Sequence, residues 1–142
     1  MRRFYWTVLA GFAILAADPA SADAQSARRS TRSGVYTEAQ AARGRDTFAG
    51  MCQACHTPAT HTGPAFMASW GGRSLWELFD YLVANMPKSD PGSLSLEEYA
   101  QVVAYVLKMN GMPAGPRELP ADEAALKAIR LDTTTVRFER NR

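Results

Sequence analysis

Met51-Cys52-Gln53-Ala54-Cys55-His56 decides how this chain of 142 residues is read. It holds the chain's only two cysteines, with a histidine directly after the second. Cys-x-x-Cys-His is the attachment sequence for c-type haem. Two thiols at this spacing can add to the two vinyl groups of one haem and form thioethers. The imidazole of His56, held beside them, can then reach the iron. The pentapeptide is short, so its reading depends on what lies on either side.

Upstream, a helix is predicted to begin after Thr37 and run to about Met51. Thr37 and Gln40 form a Thr-x-x-Gln capping box, in which each side chain satisfies a backbone donor of the other. Gly44 costs such a helix about 1 kcal/mol. Close crossing by another helix is the expected reason for it, and a plain surface glycine is the alternative. Phe48, one turn later, shares its face.

Downstream, Thr57 to Gly63 reads as a loop. His61 lies in it and is expected to be solvent-exposed or hydrogen-bonded, because one histidine already serves the iron. Ser74 and Glu77 make a second capping box. Behind it Leu75, Leu78, Phe79 and Leu82 fall at i, i+3, i+4 and i+7, a helical stripe. Leu75, Trp76, Phe79 and Leu82 are the expected apolar wall of the cofactor site. This helix should stop near Asn85, since Pro87 disfavours helical geometry at Met86. Pro91-Gly92 marks a turn. Ser95 and Glu98 make a third box, opening a helix over Leu96–Met109 that Asn110-Gly111 ends. Val102 and Tyr105 are its candidates to meet the first helix near Gly44. Ala121 to Arg130 can form a short helix with Leu126 and Ile129 turned inward. Thr133 to Arg142 has no clear pattern.

The N-terminus reads differently. Arg2 and Arg3 precede an apolar run, Phe4 to Ala17, that is short for a membrane span. Small residues at Ala20-Ser21-Ala22 and Ala22-Asp23-Ala24 offer cleavage sites, so a secretory signal is expected; an anchor retained in the membrane is the alternative. Gln25 to Val35 is basic and polar, as a solvated linker would be. The expected division is therefore a signal over 1–24, a flexible basic lead over 25–35, one domain over 36–115, and an extension with a short helix over 116–142. A formal net charge of +2 is too small to imply a nucleic-acid partner. No other stretch is apolar enough to span a bilayer, so no stable membrane insertion is expected after cleavage.

From about Thr37 to Gly115 these features resemble the class I c-type cytochromes, small exported electron carriers. The resemblance implies an all-α fold of three main helices plus loops, wrapped around one covalent haem c. Gly44 and Phe48 before the attachment motif look like that family's first helix. Gly63-Pro64 looks like the proline whose carbonyl receives the second nitrogen of the histidine, which would fix the tautomer of His56. Asn85-Met86-Pro87 looks like the segment bearing the second axial ligand. The strings from Pro91 to Ser95, then Tyr99, Val103 to Tyr105, Asn110-Gly111 and Pro113 to Gly115 are similar to cytochrome domains that accompany quinoprotein dehydrogenases. Implied partners are a dehydrogenase donor and a terminal oxidase or other cytochrome as acceptor, in the periplasm.

Several methionines compete for the sixth iron position. Met51 adjoins the attachment motif and is kept from the far face by ring geometry. Met109 lies near a helix end. Met67 and Met112 are the positional rivals. Met86 is preferred because it follows a helix end, precedes a stiffening proline and lies thirty residues after His56. The resulting expectation is an electron carrier and not an enzyme. The competing reading is a haem protein with an open sixth site that binds small ligands or catalyses a reaction. Thiol–disulfide exchange would want strands around the motif, and zinc would want more ligands.

Overall fold

A computed structural model of the chain describes residues 29–133. The expected secretory signal, the first residues of the basic lead and nearly all of the patternless tail lie outside them. Helix α1 spans Glu38–Met51, α2 Gly63–Trp70, α3 Leu75–Asn85, α4 Leu96–Met109 and α5 Glu123–Lys127. Two-residue strands, β1 at Arg29–Ser30 and β2 at Ile129–Arg130, pair in parallel. The fold is all-α in its substance, as expected.

The capping residues start the long helices where the sequence places them. The Glu77 carboxylate accepts the Ser74 N–H at 2.9 Å, and that of Glu98 accepts the Ser95 N–H at 2.8 Å. Ser95 Oγ in turn accepts the Glu98 N–H at 3.2 Å. In α1 the box is only half made. Thr37 Oγ1 accepts the Gln40 N–H at 3.1 Å, but the Gln40 amide turns away from the cap. It donates to the Leu119 carbonyl at 2.8 Å and accepts the Leu119 N–H at 2.7 Å. Gln40 is buried, and an extended segment with matching backbone groups satisfies both ends of its amide.

Helices α1 and α4 cross at the centre of the molecule. A β-carbon at Gly44 would lie 1.8 Å from the Gln101 carbonyl oxygen and 3.0 Å from the Val102 nitrogen. The close crossing expected of Gly44 is therefore present, against the backbone of Gln101–Val102. Tyr105 meets α1 one turn further on, its ring 5.6 Å from that of Phe48. On the other face of α4, Tyr99, Val103 and Leu107 join Leu75, Leu78 and Phe79 of α3 in one core.

Three stretches differ from their sequence reading. The expected loop over Thr57–Gly63 contains a 3-10 turn, Pro58–His61, and runs straight into α2. Pro64 is no obstacle to that helix, because proline is well suited to the first turn, where its missing N–H costs nothing. The short C-terminal helix stops at Lys127, and Ile129–Arg130 is extended, although Leu126 and Ile129 are both buried as expected. Finally, residues 29–35 pack onto the domain. Fully buried Thr31 donates its hydroxyl to Met112 Sδ at 3.2 Å and accepts the Asp132 N–H at 3.0 Å. A polar residue in a basic stretch reads as linker until its distant partners are in place. Leu119, Leu126, Ile129 and Leu131 belong to the same core, so the chain on both sides of the helical domain closes over it.

Candidate functional site

The attachment motif begins where α1 ends. Cys52 is the C-cap of α1, its N–H donating to the Phe48 carbonyl at 2.9 Å. The chain then coils around the Cys52 carbonyl, which accepts from the N–H of Cys55 at 3.1 Å and of His56 at 2.9 Å. This turn brings Cys52, Cys55 and His56 to the wall of one cavity of about 910 Å³. The cysteines are not joined to each other. Burial pushes the Cys52 thiol up from its ordinary value. Redox-active Cys-x-x-Cys pairs depend on a lowered pKa, so this environment disfavours thiol–disulfide exchange. Among the described residues no group of three or more His, Cys, Asp or Glu side chains is placed together as a metal site would need.

Opposite elements complete the cavity. Phe66 and Trp70 of α2, Leu78, Tyr81 and Leu82 of α3, and Val102 and Val106 of α4 supply apolar wall. The expected wall of Leu75, Trp76, Phe79 and Leu82 is thus corrected. Only Leu82 of that set lines the cavity. Leu75 and Phe79 are buried in the core, and Trp76 stacks on Phe79 at 5.7 Å. The face of α3 that meets the cavity runs instead through Leu78, Tyr81, Leu82 and Asn85. Arg73 and Glu77 stand at the cavity margin, paired at 2.8 Å, with the Arg73 guanidinium 5.1 Å from the Trp70 ring centre.

Met86 and Pro87 line the same cavity as the two cysteines and His56. The rival methionines are placed otherwise. Met112 is buried, with its sulfur accepting from Thr31, and Met67 and Met109 pack against the core. Met51 lines the cavity from the attachment side. Pro64 stands exposed at the head of α2, next to cavity-lining Ala65.

Helix α4 pins both margins of the cavity, through two residues whose part sequence reasoning missed. Asn110, its C-cap, donates to the His61 carbonyl at 2.9 Å and accepts the Gly63 N–H at 3.0 Å. Tyr99, near its start, donates its phenol to the Met86 carbonyl at 2.5 Å and accepts the Gly92 N–H at 3.1 Å. The sequence marked Asn110 as a helix stop and placed it, with Tyr99, in a family-like string, without a contact for either. His61, expected in the polar loop as exposed or hydrogen-bonded, is half-buried and lines the cavity. Its ring centre is 4.8 Å from that of His56 and 5.9 Å from that of Phe48. Burial, and then the neighbouring His56, push the His61 imidazole down from its usual pKa.

The donor set fits a c-type haem. Cys52, Cys55 and His56 share one wall of a largely apolar cavity, and Met86 lines it from beyond the end of α3. Residues 39–106, from α1 into α4, match the family described as Cytochrome C oxidase, cbb3-type, subunit III. No curated protein and no solved structure matches the chain. The matched stretch contains the thiols, His56 and Met86, and most of the cavity wall. Residues 39–106 thus form a cytochrome c domain of the class I type, all-α and suited to electron transfer, in which Cys52 and Cys55 fit one covalently bound haem c.

Proposed function

We propose that this chain is an exported, monohaem single-electron carrier with His56 and Met86 as the axial ligands. The observation that carries this reading is that Met86 shares a cavity with Cys52, Cys55 and His56 while the Met112 sulfur is held by Thr31. Haem c, when bound, supplies reversible one-electron iron chemistry. The protein's part is to hold both ligands and keep water out. Leu78, Leu82, Val102 and Val106 serve the second purpose, and an apolar surround favours the less charged, reduced form. Met86 favours it too, because thioether ligation raises the potential. Pro64, beside cavity-lining Ala65, is proposed to offer its carbonyl to the second nitrogen of His56.

Export to the periplasm is proposed from the Arg2-Arg3 start, the apolar run and the small-residue cleavage sites. Among the described residues no helix is long and apolar enough to cross a membrane. The proposed donor is a dehydrogenase, of the quinoprotein class on the similarity of the strings after Pro91. The proposed acceptor is a terminal oxidase or another cytochrome, and the matched family's description names an oxidase subunit.

The test is spectroscopic. The oxidised protein should show a weak sulfur-to-iron charge-transfer band in the far red. Met86→Ala should abolish it and lower the reduction potential, axial ligands being a main control over a range of roughly 0.8 V. Met67→Ala and Met112→Ala should keep the band, although Met112→Ala should lose stability at its buried site. A band that survives Met86→Ala would defeat the proposed ligation.

A further inference from the structure

We infer that His61 is a positioning residue whose imidazole, packed edge-on against His56, sets the plane of the His56 ring. The inference rests on the proposed ligation by His56.

The need for such a neighbour follows from the side chain itself. The terminal torsion of a histidine is broad, so its own rotamer preference does not fix the ring plane. The coil of Cys52 to His56 fixes the backbone of the motif and leaves that last torsion to what the ring meets, the proposed Pro64 carbonyl at one nitrogen and the His61 ring beside it. The ring plane matters because an axial imidazole interacts with the iron orbitals directionally. Its azimuth decides how unpaired spin is spread over the oxidised haem.

The structure puts His61 where it can make that choice. The two imidazole rings meet at 4.8 Å between centres with 63° between planes, an edge-to-face approach. Ring pairs prefer such arrangements at 4.5–7 Å. His61 is itself immobilised. Its ring meets Phe48 of α1 at 81°, and Phe48 in turn leans on Tyr105 of α4. Its backbone lies in the Pro58–His61 turn, and its carbonyl is tied to Asn110. A ring braced by the two crossing helices and by a helix cap can transmit their fixed geometry to His56. A histidine whose ring merely faced solvent would show neither of the ring contacts, to His56 and to Phe48.

The test uses the full-chain holoprotein in the oxidised state, with His61→Ala and His61→Phe. The readouts are the largest EPR g value and the pattern of haem-methyl proton shifts. His61→Ala should move both, with one haem per chain and the far-red band retained. His61→Phe keeps a flat ring edge and should stay close to wild type. Loss of haem from His61→Ala alone, with His61→Phe loaded and unshifted, also supports the inference. It is overturned if His61→Ala leaves both spectra unchanged, if His61→Phe shifts as far as His61→Ala, or if both variants fail to hold haem. Wild-type spectra lacking the hyperfine-shifted His56 resonances would instead refute the ligation itself, and the inference with it.

Discussion

The cavity's two margins are held by one helix in unequal ways. On the attachment side, His56 follows directly from α1, its N–H is bonded to the Cys52 carbonyl, and its ring is packed on His61. The neighbouring turn is tied to Asn110 through both a donor and an acceptor. On the other side, Met86 hangs from the end of α3 by its N–H to Leu82 and from α4 by the Tyr99 phenol. One margin is built from several overlapping supports, local and long-range. The other has only a helix-end bond and one phenol. The difference means that damage to the attachment side should cost stability, whereas damage to the Met86 side should alter the sixth ligand in a protein that stays folded.

The crossing beneath both margins gives the largest expected effect. Gly44→Val would drive a side chain into the Gln101 carbonyl, since even a β-carbon there falls at 1.8 Å. Overpacking typically costs about 1–3 kcal/mol, and a clash with backbone belongs at the upper end or above it. Urea unfolding should show a loss of about 3 kcal/mol, with both margins disturbed together. A loss below about 0.5 kcal/mol would mean that the helices part easily and do not fix the cavity.

A paired comparison then separates the margins. Asn110→Ala removes the partners of the His61 carbonyl and the Gly63 N–H, and should cost about 2 kcal/mol in urea unfolding. Tyr99→Phe deletes one hydroxyl and should cost about 1 kcal/mol. Yet Tyr99→Phe should weaken the far-red sulfur band more than Asn110→Ala does. The reverse order in the spectra would show that the Met86 loop does not depend on the phenol.

Legibility in the sequence followed separation along the chain. The attachment motif could be read because its chemistry lies within six consecutive residues. Ser74 and Ser95 could be read because a capping box closes over four. Asn110 to His61 spans 49 residues and Tyr99 to Met86 spans 13, so neither pairing leaves a local pattern. Thr31 is separated from Met112 by 81 residues and from Asp132 by 101. Its burial is a property of the closed fold and not of its neighbours in the chain. Gln40 shows a local rule overruled, since a buried segment at Leu119 competes successfully for the side chain that would otherwise finish the cap. Gly44 lay between these cases. The residue announced a close crossing, while its backbone partner at Gln101 had to come from the structure.

The smallest expected effect lies at the start of α4, the helix common to both margins. Bonds from the Ser95 backbone N–H, and then its hydroxyl, hold the Glu98 carboxyl below its ordinary value. A depressed pKa stabilises the fold above the unfolded value of about 4.3. That contribution is lost as pH falls through the folded-state value. The thermal midpoint should therefore decline on the acid side, and Glu98→Gln should make that decline shallower while changing little at pH 7. A steeper acid decline in the variant would show that the cap does not contribute in this way.

Carbon monoxide binding to the reduced wild-type holoprotein tests the central claim most directly, because an iron held between His56 and Met86 has no free position. The account predicts negligible binding by wild type under conditions where Met86→Ala binds readily. Rapid binding by wild type, unchanged in Met86→Ala, would contradict it and favour a ligand-binding haem protein over an electron carrier.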